Sequence, residues 1–174
     1  LSAVLLKTIP EAIFSNTAEA GNAGFVYTKF KWEYIARKEI KNRLAMFLGG
    51  FVAEKLIFGD DYVTTGAEGD IEKATHFVNE MLKECGMGKI PAAYHVKHMQ
   101  TRQYLHDVTD KIGAEAEAWI ASAMELAEKT LTEQEVLLLN MADYLSDNRT
   151  MSKEQIRKML LQYGNNFDGK EIIE

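Results

Sequence analysis

The spacing of apolar residues predicts a protein built mostly from helices. Over long stretches these residues recur every three or four positions, as on the buried face of an amphipathic helix. The two longest helical patterns run from about residue 32 to 58 and from about 102 to 131. Shorter helices are predicted at 1–9, from about 69 to 86, from 132 to about 145, and from 152 to 164.

Local signals indicate where several of these helices end or bend. Pro10 ends the first helix, because proline lacks the backbone N–H that a helix interior needs. Residues 152–155, S-K-E-Q, form a capping-box pattern at the start of the last helix. Gly49 and Gly50 interrupt the helix at 32–58, at a cost of roughly 1 kcal/mol each relative to alanine. Paired glycines at that point predict close packing of another backbone.

One segment is typical of a β-strand. It is G-F-V-Y-T-K-F at residues 24–30, which is short and aromatic and follows a polar loop. The predicted fold class is therefore mainly α, a multi-helix protein with one short strand or hairpin.

Composition narrows the class of protein. The chain has 174 residues, 47% of them hydrophobic, which is enough to fill the core of one domain. A net charge of -6 argues against a nucleic-acid partner. The apolar runs are too short for a membrane-spanning segment. The single cysteine, Cys85, excludes an intrachain disulfide and favours a reducing location, the cytoplasm, with membrane attachment through regions outside this sequence left open.

One stretch departs from the acidic average. Residues 29–43 hold six Lys or Arg and two Glu, a local charge of +4. A solvated helix face is one interpretation of this stretch. A surface for a membrane or another anionic partner is the other, and the sequence leaves both open.

Two motifs carry information beyond the helical pattern: L-G-G-F-V-A-E-K-L-I-F-G at 48–59 and V-T-T-G-A-E-G-D-I-E-K-A-T at 63–75. Their order and spacing resemble the peptidase domain of the FtsH family of ATP-dependent zinc metalloproteases. In that family a Gly-Gly-x-x-Ala-Glu helix leads to Thr-Gly-Ala-x-x-Asp and then to Ala-Thr. The matching residues are Gly49, Gly50, Ala53, Glu54, Phe58, Gly59, Thr65, Gly66, Ala67, Asp70, Ala74 and Thr75.

The resemblance implies a single FtsH-like peptidase domain over residues 1–174, with a zinc-site half at 1–100 and a C-terminal helical part at 101–174. In the family, two histidines of an H-E-x-x-H helix and one carboxylate bind zinc, and that carboxylate corresponds to Asp70. Catalytic zinc takes three protein ligands and activates a water at the fourth position. The implied cofactor is zinc and the implied substrate is a polypeptide, while homo-oligomerisation stays open.

The sequence contains no H-E-x-x-H motif. In the family this helix would lie immediately upstream of residues 1–10, and Leu1 stands within an apolar run, which indicates a start inside a helix. Either the motif precedes Leu1 in the encoded protein, or it has degenerated in a non-catalytic interaction or scaffold domain. No catalytic residue is assigned within the chain, which as given is expected to be inactive. Whether the protein is an enzyme is therefore open.

Asp70 has two interpretations that do not exclude each other. Aspartate is a preferred helix N-cap, worth about 1 kcal/mol, and a negative charge is favoured at a helix N-terminus. A carboxylate in that place can still bind a metal. Glu54 in the first motif either supports the site or is an ordinary charge on a helix, and the sequence leaves both interpretations open.

The predicted strand offers a second candidate site. Gly24, Phe25 and Val26 match the place where the family has a strand that borders the cleft. Proteases often bind extended substrate by adding it to such an edge, since main-chain hydrogen bonds tolerate any side chain. Plain structural pairing is the alternative.

The remaining metal-binding residue types suggest no convincing second site. His95, His98 and His106 lie within twelve residues, but no cysteine and no suitably spaced glutamate accompanies them. We expect surface histidines there, and we expect His76 to flank a helix face. Cys85 lies on an apolar stripe and is predicted to be a small core residue.

Overall fold

Helices dominate the structure, a computed structural model that describes residues 1–15, 24–30, 34–91 and 102–167, without the side chains of 102–111. The helices are α1 (Ser2–Leu5), α2 (Arg37–Phe47), α3 (Gly49–Phe58), α4 (Glu68–Lys83), α5 (Arg102–Glu133), α6 (Glu135–Asn148) and α7 (Lys153–Tyr163). The strands are β1 (Ala12–Ser15), β2 (Gly24–Tyr27) and β3 (Thr150–Ser152), and short 3₁₀ turns cover Asp60–Tyr62 and Thr65–Ala67. The predicted mainly α class is confirmed.

The strands form one antiparallel sheet in the order β2-β1-β3. The predicted strand is β2, and its partner in the middle of the sheet is β1, with Ile13 opposite Val26 on one side and Met151 on the other. Neither β1 nor β3 was predicted. They have four and three residues, too few to display the alternation by which a half-buried strand is recognised.

The helix predicted at 32–58 is two helices. The interruption predicted at the paired glycines is confirmed, because α2 ends at Phe47 and α3 begins at Gly49. The predicted start near residue 32 is wrong. Ala36 has an extended backbone, with φ -74° and ψ 153°, so α2 begins only at Arg37.

The first helix is also shorter than predicted. It ends at Leu5, and Lys7 lies in the left-handed region with φ 55°, so the chain leaves the helix before Pro10. The capping box at the other end of the chain is confirmed. Ser152 Oγ accepts a hydrogen bond from the Gln155 N–H, and Gln155 Oε1 accepts one from the Ser152 N–H at 2.8 Å.

The described residues form two compact units. The sheet unit consists of the described residues within 1–35 and 128–167, and its core is made by Ala3, Ile9, Leu137, Met151, Ile156 and Leu160. The motif unit consists of those within 36–127 and contains both sequence motifs. A single peptidase domain over 1–174, divided near residue 100, stays a prediction.

Packing of α2 against α4 forms the core of the motif unit. Ile40 and Leu44 on α2 and Val78 on α4 are fully buried. The rings of Phe47 and Phe77 meet edge to face, with centroids 5.7 Å apart. Because apolar burial contributes roughly 1.5–3 kcal/mol for each large side chain, this contact holds the C-terminal half of α4 against α2.

Within the part of the chain that the structure describes, no helix combines the length and the apolar character that crossing a bilayer requires.

Candidate metal centre

Asp70 lies in the first turn of α4, one turn from the second motif's Thr-Gly-Ala. The helix begins at Glu68, and its N-cap residue is Ala67, which provides no side-chain cap. The N-cap interpretation of Asp70 is therefore wrong. The carboxylate still benefits from the helix dipole, because the unpaired N–H groups of the first turn favour a negative charge there. Its side chain is 49% exposed.

The two oxygens of the Asp70 carboxylate have different surroundings. Oδ1 lies 2.8 Å from Lys73 Nζ, an ion pair between residues three apart on α4. Oδ2 lies beside α3, where a Cβ built on Gly50 would be 4.0 Å from it. The close backbone predicted at the paired glycines is thus not found at Gly50, whose nearest neighbour is this carboxylate oxygen. Among the described residues, Asp70 has one hydrogen-bonding partner, Lys73.

Glu54, left unassigned by the sequence, links the two motifs. The Thr64 N–H donates to Glu54 Oε2 at 2.9 Å. The Thr64 hydroxyl lies 3.0 Å from Oε2 and 3.3 Å from Oε1, so its single proton is shared by the carboxylate. Bonds to an ionised acceptor are stronger than those between neutral groups. The last turns of α3 therefore hold the segment that leads into α4.

Thr64 also connects Glu54 to the Thr-Gly-Ala turn. Its Oγ1 accepts a hydrogen bond from the Gly66 N–H at 3.1 Å, which caps the 3₁₀ turn Thr65–Ala67. A Cβ on Gly66 would lie 3.1 Å from Thr64 Oγ1 and 3.8 Å from Glu54 Oε1. A side chain at position 66 would crowd the hydrogen-bonded Thr64 and Glu54, which favours glycine at this position of the motif. Thr64 was not singled out from the sequence.

Asp70 has the properties of one zinc ligand, but the described residues do not complete a site. A half-exposed carboxylate with one oxygen outside its ion pair suits a cation that accepts oxygen ligands. Within residues 1–15, 24–30, 34–91 and 112–167, no three His, Cys, Asp or Glu side chains are grouped so as to hold a metal. Asp70 fits as a single ligand, and its partners would come from elsewhere.

The other predicted site lies in the sheet unit. Gly24, Phe25 and Val26 are all exposed and belong to β2, the outer strand next to β1. The ring of Phe25 stacks on Phe14 with centroids 4.6 Å apart. Gly24 has φ +156°, and a Cβ there would lie 2.6 Å from the Phe14 carbonyl oxygen, so β2 approaches β1 as only glycine allows. Whether β2 binds substrate stays a prediction.

The remaining candidates take no part in this geometry. His95 and His98 and the side chain of His106 lie outside the described residues, and His76 is exposed on α4 as expected. The prediction that Cys85 is a core residue is wrong, because it is exposed. Partial burial of its sulfur raises the pKa of the Cys85 thiol, and the carboxylates of Glu80 and Glu84 raise it further. A thiol with a raised pKa is a weak nucleophile at neutral pH.

Part of the basic stretch is used within the fold. Arg43 is buried and its Nη2 lies 2.6 Å from Glu39 Oε1. Arg37 Nη2 donates to the Gly88 carbonyl oxygen at 2.6 Å, which ties the turn after α4 to the start of α2. Lys38 and Lys41 remain exposed on α2. These contacts favour the solvated-helix interpretation of the stretch over an anionic partner.

Comparison with known proteins places the chain in a family. The sequence profile of Peptidase family M41 matches residues 12–159, most of the chain, and the chain therefore belongs to that family. Similar proteins include the ATP-dependent zinc metalloprotease FTSH 11, chloroplastic/mitochondrial, of Arabidopsis thaliana, 32% identical over 142 residues, covering 80% of this chain and 17% of that protein. The predicted FtsH-type peptidase domain is confirmed.

Two further relatives agree with this placement. The ATP-dependent zinc metalloprotease FTSH 9, chloroplastic/mitochondrial, of Oryza sativa subsp. japonica is 33% identical over 129 residues, 74% of this chain and 16% of that protein. The ATP-dependent zinc metalloprotease FtsH of Chloroflexus aggregans is 32% identical over 133 residues, 70% of this chain and 20% of that protein. The chain thus spans about a fifth of the length of the relatives it matches.

Proposed function

We propose that this chain is the peptidase portion of a zinc-dependent endopeptidase that hydrolyses peptide bonds of polypeptides, with Asp70 as one of the zinc ligands. The observation that carries the proposal is the place of Asp70, a half-exposed carboxylate in the first turn of α4. It is supported by membership of Peptidase family M41 and by the names of the relatives, which describe zinc metalloproteases.

Asp70 contributes charge and position. Zinc held in such a site polarises the scissile carbonyl and activates water for attack. The Asp70 carboxylate supplies a fixed negative charge, which the first turn of α4 favours. Lys73 holds Oδ1, so Oδ2, beside Gly50, is the oxygen that would bind a metal.

The same proposal gives β2 the role of binding substrate. Gly24, Phe25 and Val26 lie on an outer strand, and in the described part of the chain only β1 pairs with it. The edge of β2 that faces away from β1 has a row of N–H and C=O groups. An extended polypeptide would add to this edge as a further strand. Binding through the main chain would make β2 tolerant of the substrate's side chains.

The remaining parts of the proposal concern location and assembly. A cytoplasmic, reducing location is supported by the single cysteine. Two of the relatives are named as chloroplastic or mitochondrial, and those names apply to those proteins. A homo-oligomer is left open, and the absence of a nucleic-acid partner stays a prediction from the net charge of -6.

Zinc content tests the proposal. The protein is purified with every residue that its gene encodes, and bound zinc is measured by mass spectrometry for the wild type, Asp70→Ala and Asp61→Ala. Asp61 is an exposed aspartate in the neighbouring 3₁₀ turn and serves as the matched control. We expect one zinc per chain in the wild type and the control, and loss of zinc in Asp70→Ala. Equal zinc in all three would remove Asp70 from the site.

A non-catalytic interaction or scaffold domain is the second candidate, because the 174 residues contain no H-E-x-x-H. The encoded sequence upstream of Leu1 separates the two. An H-E-x-x-H motif that ends within a few residues of Leu1 would contradict the scaffold. A start codon close to Leu1, without the motif, would contradict the peptidase.

A further inference from the structure

We infer that Glu54 is a positioning residue for Asp70 and acts through Thr64. The inference rests on the proposed function, because it assigns Glu54 a role in presenting a zinc ligand. Glu54 itself is one turn of α3 away from the glycine beside Asp70 and makes its hydrogen bonds to Thr64. It therefore supports the carboxylate from a distance.

One face of α3 lies beside both ends of the segment from Thr64 to Asp70. Residues four apart on a helix lie on the same face, so Gly50 and Glu54 are neighbours there. Gly50 lies beside Asp70 Oδ2, at the end of the segment. Glu54 accepts the hydrogen bonds of Thr64, at its beginning. α3 thus serves as the surface against which the segment is placed.

The segment between these two contacts is regular. It consists of the 3₁₀ turn Thr65–Ala67 and the first turn of α4. Ala67, between the two, is buried. Packing against α2 holds the body of α4, and helix geometry links its first turn to the residues just before it. The hydrogen bonds that hold Thr64 on α3 therefore help to fix the turn that carries Asp70. The ion pair between Asp70 and Lys73 lies within α4, so it does not fix the position of Asp70 relative to α3.

The negative charge of Glu54 strengthens the contact. Both donors of Thr64, its N–H and its hydroxyl, lie closest to Glu54 Oε2, at 2.9 and 3.0 Å, and Oε1 lies 3.3 Å from the hydroxyl. A glutamine with its oxygen in the place of Oε2 keeps an acceptor for both donors but loses the charge that strengthens these bonds. Glu54→Ala removes every acceptor, whereas Glu54→Gln keeps the size of the side chain. Thr64→Val keeps the shape of threonine and removes the hydroxyl, and Thr64→Ser keeps the hydroxyl.

The test measures zinc affinity and local order separately. In the protein with every residue that its gene encodes, zinc affinity is obtained by competition with a chromophoric chelator, well below the unfolding temperature. We expect Glu54→Ala to weaken zinc binding by up to about tenfold, the lower end of the range for loss of a group bonded to a metal ligand, because Glu54 acts on Asp70 only through Thr64. Glu54→Gln and Thr64→Val should weaken it less. Thr64→Ser is expected to restore near-wild-type affinity, and Glu72→Gln, an exposed glutamate on α4, to leave it unchanged.

Amide hydrogen exchange of the same variants gives the readout that does not depend on zinc. The Thr64 and Gly66 amides should exchange at least about tenfold faster in Glu54→Ala, because the turn loses its anchor on α3. Wild-type zinc affinity in Glu54→Ala, in a protein whose Asp70→Ala variant has lost zinc, would overturn the inference. A wild type without zinc would instead overturn the proposed function, and unchanged exchange in Glu54→Ala would then overturn the anchoring by Glu54 as well.

Discussion

Two side chains in this protein each hold a distant piece of backbone with a pair of hydrogen bonds, and they do so with opposite chemistry. Glu54 in the motif unit accepts from both the N–H and the hydroxyl of Thr64, which lie 2.9 and 3.0 Å from its Oε2. Gln134 in the sheet unit accepts from the Asn165 N–H at 2.8 Å and donates to the Asn165 carbonyl oxygen at 2.9 Å. The amide matches a peptide group as both donor and acceptor.

Exposure explains why one site has a charge and the other does not. Gln134 is only 9% exposed, and a buried charge there would lose its hydration without a counterion. The bonds between Glu54 and Thr64 are exposed to solvent, so a carboxylate remains hydrated while it accepts two hydrogen bonds. The neutral side chain of Gln134 therefore joins two segments in the interior of the sheet unit. The charged side chain of Glu54 stays hydrated beside the candidate metal centre.

Replacing the amide by a carboxylate in the sheet unit should have the largest effect. Gln134→Glu removes the donor to the Asn165 carbonyl and places a charge in a buried position, which we expect to lower the free energy of unfolding by about 3 kcal/mol. Denaturant unfolding at neutral pH measures this change. The exposed Gln162 is the control, and Gln162→Glu should change stability by less than about 0.5 kcal/mol. Equal effects of the two substitutions would contradict the role of Gln134.

The reciprocal exchange in the motif unit should cost much less. Glu54→Gln keeps an acceptor oxygen for both donors and removes the charge from an exposed contact, so we expect a loss of no more than about 1 kcal/mol in the free energy of unfolding. The same denaturant titration measures it, with Glu72→Gln as the matched control. A loss as large as that of Gln134→Glu would mean that exposure does not distinguish the two contacts.

A double-mutant cycle separates the Glu54 contact from other effects of each substitution. Glu54→Ala and Thr64→Val both remove the hydrogen bonds between the Thr64 hydroxyl and Glu54, so their effects on stability should fall short of additive by about 0.5 kcal/mol or more. Unfolding free energies of the two single variants and the double variant give this coupling. Strict additivity would show that Glu54 and Thr64 contribute independently.

Gly50→Ala should give the smallest change in stability, and in the opposite direction. A methyl group at Gly50 would lie 4.0 Å from Asp70 Oδ2, an ordinary contact distance, and alanine favours a helix over glycine by up to roughly 1 kcal/mol. Stability should therefore rise slightly. Zinc binding should weaken in the same variant, because the methyl narrows the space beside Oδ2. A gain in both quantities would contradict the position given to this oxygen.

The helices and the candidate ligand were accessible from the sequence for different reasons. Long amphipathic helices such as α5 can be recognised from the period of their apolar residues. Asp70 can be recognised from its place in a motif whose order is known. β1 and β3 were not predicted because three or four residues carry no period, and their pairing joins positions far apart in the chain. The contact of Glu54 with Thr64 was missed because the direction of a side chain across a loop depends on the geometry of that loop.

One sign of that contact was nevertheless present in the sequence. Gly50 and Glu54 are four residues apart in a helical pattern, so a shared face could have been inferred, although nothing indicated which segment it meets. Cys85 shows the opposite error, since it fits the apolar stripe of α4 by spacing yet lies beyond the helix, which ends at Lys83. A periodic pattern ceases to hold where the helix ends, and that end was placed at Gly86, three residues too late.

β1 can pair with β3 only after the residues between the two strands have been synthesised. Ile13 is synthesised before its partner Met151, by on the order of ten seconds at ordinary rates of translation. During that interval one edge of β1 has no partner, and the apolar face that later buries Met151 is open to other chains. Completion of the sheet unit therefore depends on β3 and α7, and a chain interrupted shortly before Thr150 would be a natural substrate for chaperones.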